Sequence, residues 1–237
     1  LSSFLAAAPG GSLNLSDGLA EQVFLSGRIT DMQSRLNVNN LVSGGQLQVQ
    51  ELKAFERLYQ ALGLPPAELA QWSAALVAAH QSPPQAQAPL PPQRLEHMSW
   101  LGLSGQSLAR LAPHITVLPA STPININTAS AAVLYASLPN LNLAQAQAWV
   151  RERNQHPFES MEDARSRLGS AASLLSETRH SVSTRYFEVV GQVRQAQVSV
   201  LERSLVVRDG IETKTIWREH RPRLGEPGCL STIDPPC

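Results

Sequence analysis

Apolar and polar positions follow three regimes along the chain. Between Gln22 and Val38 they alternate, with Val23, Leu25 and Ile29 on one side of an extended segment. Gly27 within it suits a bulge or the close approach of another backbone. Asn37-Val38-Asn39-Asn40 predicts a turn, because asparagine side chains bond nearby backbone and tolerate left-handed conformations. From Val49 the period lengthens to that of a helix. Leu52, Phe55, Leu58, Tyr59 and Leu62 form one stripe, ended by Gly63 as a C-terminal cap. Pro65 and Pro66 open a second helix to about His80, with Leu69, Trp72, Leu76 and Ala79 on its buried side. Trp72 reads as core.

Residues 81–93, QSPPQAQAPLPPQ, carry neither period and predict an exposed loop, with polyproline docking as the sharper alternative. Helical character resumes at Arg94–Leu101 and Gln106–Leu111, followed by the apolar run Ile115–Leu118. Three compact helices are predicted next. Thr128–Leu138 is capped by Asn127 or Thr128, and Asn142–Asn154 opens with Asn142 and Gln145 as a capping pair. The third, Ser160–Leu168, is left through Gly169. After about Ser181 the period returns to two: Phe187, Val189 and Val193 share a face, Gln195–Val207 makes a further strand, and Ile211–Trp217 another. Asp209-Gly210 between the last two is a hairpin signal. A strand, a block of about 130 helical residues and a strand meander imply an α+β protein, one sheet interrupted by an inserted helical domain.

Composition narrows the partners. The 237 residues carry 19 basic and 19 acidic side chains, so no overall positive field draws in nucleic acid or anionic lipid. No apolar run reaches the roughly 18 to 20 residues that cross a bilayer. A start at Leu1 instead of Met leads to the expectation that a segment precedes it, removed or cut away. The two cysteines, Cys229 and Cys237, lie close together in GCLSTIDPPC. Either they are two exposed free thiols or they close a short loop. The disulfide is the preferred reading, contributing about 2–3 kcal/mol at most and pointing to an oxidising compartment. Two thiolates alone leave a tetrahedral metal half coordinated.

No reactive constellation stands out in the sequence: no nucleophile elbow, zinc-protease helix, P-loop or dinucleotide fingerprint is present. His80, His97, His114, His156, His180 and His220 are scattered, without metal-pair spacing. Glu159, Glu162 and Asp163 cluster at a helix start, where the dipole favours carboxylates. The expectation is a chain without catalytic residues, cofactor or metal. Residues 122–169 resemble a helix-hairpin-helix unit, common in DNA-binding proteins. The hairpin Pro139-Asn140-Leu141-Asn142 lacks that family's phosphate-holding glycines, and Arg151, Arg153, Arg165 and Arg167 are balanced by Glu152, Glu159, Glu162 and Asp163. A packing scaffold is therefore preferred over a DNA reader of the competence type, and no nucleic acid is expected.

Three further stretches carry a more specific likeness: DMQSRLNVNNL (Asp31–Leu41), TPININTASAAVL (Thr122–Leu134) with Arg153 and Pro157-Phe158 beyond it, and SVSTRYFEVVGQV (Ser181–Val193). In this order, at spacings of roughly 90 and 60 residues, they resemble the K-type minor pseudopilins of bacterial type II secretion, over most of residues 20–210. The resemblance implies a pseudopilin fold, an N-terminal helix (here truncated, partly membrane-embedded) on an antiparallel sheet. It divides the chain into a first pseudopilin part (1–46), an inserted helical domain (47–180) and C-terminal strands with the cysteine tail (181–237). It also implies a non-enzymatic role at the pseudopilus tip with the I and J minor pseudopilins and other pseudopilus subunits, as the periplasmic domain of an inner-membrane protein. Members of that family commonly carry an acidic Asp-Trp-x-Asp-x-Asp stretch in the helical domain, and some bind calcium. Here the region reads Gln71-Trp72-Ser73-Ala74-Ala75, with no carboxylate, so no calcium is expected.

Overall fold

The structure, a computed structural model, describes residues 23–81, 87–195 and 198–224. The Cys229–Cys237 pair, the start of the chain and residues 82–86 of the Pro-rich stretch lie outside these. Strands β1 (Val23–Asp31), β8 (Tyr186–Gln195), β9 (Val198–Asp209) and β10 (Glu212–Leu224) form one sheet in the order β1-β8-β9-β10. The strand beside the first is thus the eighth in the chain, and all the described helices lie between them in sequence. β9 and β10 are joined by Gly210-Ile211, with Gly210 at φ 60°, a tight reversal that only an antiparallel pair permits. A Cβ on Gly27 would lie 3.3 Å from the Val190 carbonyl oxygen, so glycine there allows close strand approach.

The described residues fall into two compact units: 23–29, 189–204 and 217–224 in one, 30–188 with 205–216 in the other. The second unit holds the main core. Helices α1 (Val49–Leu62) and α2 (Pro66–Ala79) bury Phe55, Leu58, Tyr59, Trp72 and Leu76 to 1% exposure or less. Each such side chain contributes roughly 1.5–3 kcal/mol on leaving water. Phe55 meets Trp72 edge to face at 5.7 Å, and Trp72 Nε1 donates to Tyr59 Oη at 2.7 Å, so the indole N–H is satisfied inside the core. Gly63 closes α1 at φ 59°. Further along come α3 (Gly105–Leu111), α4 (Ala131–Ser137), α5 (Leu143–Gln155) and α6 (Met161–Leu168). α1 lies against α4, and α4 against α5.

Two-residue ladders stitch the loops: β2 (Leu36–Asn37) runs parallel to β5 (Ile115–Thr116), and β6 (Ile124–Asn125) to β7 (His180–Ser181). β3 (Val42–Ser43) and β4 (Gln46–Leu47) form a hairpin through Gly44 and Gly45, both at positive φ.

Several expectations are corrected. The first extended segment does not run to Val38. Asp31 ends β1 because its Oδ1 accepts the Gln33 N–H at 2.7 Å and starts a 3-10 turn, Met32–Ser34. A first boundary at residue 46 falls too late, since Leu36, Val38 and Leu41, at 0–1% exposure, belong to the helical core. α4 is capped by Ser130, not Asn127 or Thr128, whose side chains are engaged elsewhere. On β8 the buried face is Glu188 and Val190, while Phe187 and Val189 are half-buried and Val193 is exposed. Valines at both 189 and 190 leave the alternation ambiguous. The capping box of Asn142 and Gln145 and the Ser160 cap of α6 are as expected.

Candidate interaction surface

The polar residues of the first two signature stretches converge within the second unit. Asp31 Oδ2 accepts from Asn125 Nδ2 at 2.8 Å and from Thr128 Oγ1 at 2.5 Å. Gln33 donates to the Pro123 carbonyl at 3.0 Å, while its Oε1 accepts the Arg185 N–H at 2.7 Å and the Thr184 hydroxyl at 3.1 Å. One side chain therefore holds the outgoing chain, the middle loop and the returning chain. Asn37 donates to Ala120 O and Thr122 Oγ1 and accepts from the N–H groups of Leu118 and Asn39. Asn40 exchanges a pair of bonds with the Thr122 backbone. Asn127 does the same with Phe158 and adds the Val182 carbonyl. These asparagines complete backbone bonding that short ladders leave open, because a buried amide must be paired. In the sequence these stretches stand out by pattern only; runs of asparagine between apolar residues are the signal of buried pairing.

The cationic groups are spent in the same way. Arg57 donates to the carbonyls of Tyr135, Pro139 and Leu141 and lies 4.3 Å over the Tyr135 ring. Nothing in the sequence marked it. Arg153, 6% exposed, donates to the Ile126 carbonyl, and burial pulls its pKa down. Arg167 bonds Glu152 at 2.8 Å and Asp163 at 3.2 Å, the Glu152 bond chiefly raising its pKa, and lies over Phe158. Arg165 faces Glu177. In the hairpin, Leu138 and Leu141 are buried, and Pro139 and Leu141 turn carbonyls toward a guanidinium where a phosphate would need N–H donors. The arrangement holds a scaffold together and offers nucleic acid little.

The acidic cluster is a helix start: Asp163 N–H donates to Ser160 Oγ, and Asp163 Oδ2 accepts from Glu159 N–H. The histidines stay apart. His80 bonds the Leu76 carbonyl, His114 meets Ser130, His97 stacks on Trp100, and His220 faces Glu202. His156 ends α5, and its carbonyl accepts from Arg167. His180 is 1% exposed, and burial first, then Arg179, lowers its pKa to about 4. Its Nδ1 accepts the Ser176 N–H, which leaves Nε2–H to face Ser137 Oγ. No group of three His, Cys, Asp or Glu among the described residues is placed to hold a metal. At Gln71–Ala75 the donor set does not fit calcium: Trp72 is core, Ser73 Oγ donates to the Ala70 carbonyl, and no carboxylate is present.

A trough of about 570 Å³ runs between α1 and α2, floored by Leu47, Leu52, Tyr59, Leu64, Leu69 and Val77. No sequence signal marks it, because its floor uses the same apolar stripes as the core.

The family described as type II secretion system protein K matches residues 34–120 and 124–183. The type II secretion system protein K of Pseudomonas aeruginosa is 31% identical over 204 residues, covering 74% of this chain. The chain spans 60% of the length of that curated relative. A chain of the crystal structure of the GspK-GspI-GspJ complex from enterotoxigenic Escherichia coli superposes with a TM-score of 0.64 at 19% identity, covering 86% of this chain and 84% of that one. That likeness shows a shared α+β fold.

Proposed function

The chain belongs to the protein K family of the type II secretion system, and on that premise we propose that it is a minor pseudopilin at the tip of the pseudopilus. There it assembles with the I and J minor pseudopilins, helps to prime the fibre, and assists export of folded proteins across the outer membrane. It works by fit, without catalysis, cofactor, calcium or nucleic acid. The proposed setting is the periplasm, with attachment to the inner membrane through a helix upstream. No described helix is long and apolar enough to cross a membrane. The helical insert between β1 and β8 acts as a bulky cap that hinders stacking of a further subunit.

One observation carries this reading: Gln33, Asn37, Arg57, Arg153 and Arg167 are consumed on the protein's own backbone and carboxylates, which favours shape as the means of recognition. The family's fold neighbour comes from a complex with I and J proteins. The experiment mixes the purified chain with the I and J ectodomains at about 30 µM, where a micromolar Kd already gives mostly complex. Light scattering after gel filtration is expected to report one ternary species. Three separate monomers would refute the proposal.

A further inference from the structure

Residues 88–93, Ala-Pro-Leu-Pro-Pro-Gln, take no part in the reading above. Proline fixes φ near −65° at Pro89, Pro91 and Pro92. Ala88, Leu90 and Pro91 each precede a proline and are driven to extended ψ. Sterics alone thus favour polyproline II, with three residues per turn. The structure shows no helix or strand over these residues, and their burial follows that period. Pro89 is half-buried and Pro92 buried; Leu90 and Gln93, three apart, are exposed; on the third edge Ala88 is half-buried and Pro91 exposed. The strip rests on the protein along one edge and holds Leu90, 71% exposed, outward. Its end is tied down: the Gln93 N–H donates to His97 Nδ1 at 3.3 Å, and His97 stacks on Trp100 at 4.1 Å.

An exposed leucine is ordinary by itself. A leucine held between prolines is different, because its backbone is already ordered and a partner need not supply that ordering. We propose that Ala88–Gln93 is a recognition strip of polyproline II form that presents Leu90 and Pro91 to an aromatic-lined groove on a partner protein. Flat rings fit between the ridges of such a helix, and Tyr or Trp donors in the groove serve carbonyls that have no internal partner in this conformation. Charge plays no part in the exposed edge.

The test places the photo-crosslinker p-benzoylphenylalanine at Leu90 of the full-length protein in secreting cells, with the same label at exposed Ala61 on α1 as reference. The adduct site is mapped by mass spectrometry. A single adduct on a surface lined by several aromatic residues is expected, its yield falling about tenfold (roughly 1.4 kcal/mol) in Pro91→Gly at an unchanged thermal midpoint. A Leu90 yield no greater than that at Ala61, an adduct on a surface without aromatics, or a yield indifferent to Pro91→Gly would overturn the proposal. Assembly with I and J is read separately by light scattering, so the two failures are distinct.

Discussion

Replacing Asn37 by leucine removes a side chain of similar size whose amide is fully used. Asn37 is 2% exposed. Its two N–H groups go to Ala120 O (2.8 Å) and Thr122 Oγ1 (3.2 Å), and its oxygen accepts from Leu118 N (3.1 Å) and Asn39 N (3.2 Å). The Thr122 hydroxyl can rotate to another partner, but the Leu118 N–H and the Ala120 carbonyl cannot move. Each orphaned buried group costs about 1–3 kcal/mol, and the added apolar burial returns about 1 kcal/mol. The net loss is about 3 kcal/mol, a fall in Tm of roughly 6–12 °C for a unit of this size. Urea titration followed by circular dichroism measures it. Asn37→Asp separates the roles, since it keeps the acceptors and loses the donors. It is expected to be at least as damaging at pH 7 and to recover in part near pH 4, when protonation restores one donor. Asn140→Leu, at an exposed hairpin position, is the control and should stay within about 0.5 kcal/mol. A loss below 1 kcal/mol for Asn37→Leu, or no difference from Asn140→Leu, would show that the lattice is incidental.

Other predictions use the same accounting. Arg57→Met frees the carbonyls of Tyr135, Pro139 and Leu141, which water reaches only in part; about 2 kcal/mol should be lost, with faster hydrogen exchange confined to residues 138–143. His180 has a folded pKa of about 4, below its unfolded value of 6.5, so its contribution is complete above pH 6.5 and declines as pH falls through 4. The decline amounts to roughly 3 kcal/mol, and a His180→Asn variant should show a flatter loss of stability between pH 6.5 and 4 in urea titrations. Calcium at millimolar concentration, or its removal by chelator, is expected to leave the thermal midpoint within about 1 °C, because bound ligand raises it only by mass action; micromolar calorimetric binding would contradict the donor chemistry at Gln71–Ala75.

Helices α1 and α2 were legible in sequence because their signals agree: a continuous stripe from Leu52 to Leu62, Gly63 at the left-handed cap, and Pro66 in the first turn. The interrupted sheet was legible as a change of period, and the strand order bears it out. Within residues 32–47 the Asn37–Asn40 turn was legible, as the 3-10 turn Val38–Leu41 that Asn37 caps; the rest takes its order from side chains reaching about eighty residues along the chain, such as Asn37 to Ala120 and Asn40 to Thr122, and no local period records such a bond. The cap of α4 was misplaced for a related reason. Asn127 and Thr128 are good caps in isolation, but Phe158, Val182 and Asp31 recruit them first. Arg57 carried no signal in the sequence, since only the folded hairpin brings three carbonyls to it.

The likeness that identified the family rests on residues that hold the scaffold, and this separates what is shared from what is specific. Asp31, Gln33, Asn37, Asn125 and Asn127 are committed to backbone groups and to one another, so a change at any of them is paid in stability before it can alter a partner. Selectivity has to be carried elsewhere, by side chains whose replacement leaves the lattice whole. The exposed rim of the α1–α2 trough, at Glu56, Gln60, Ala70 and Ala74, and the exposed edge of Ala88–Gln93 meet that condition, and neither lies in a signature stretch. Surface variants there should therefore move binding at constant thermal midpoint, while lattice variants should move the midpoint first. A lattice variant that weakened assembly at full stability would place the recognition surface at the signature residues instead.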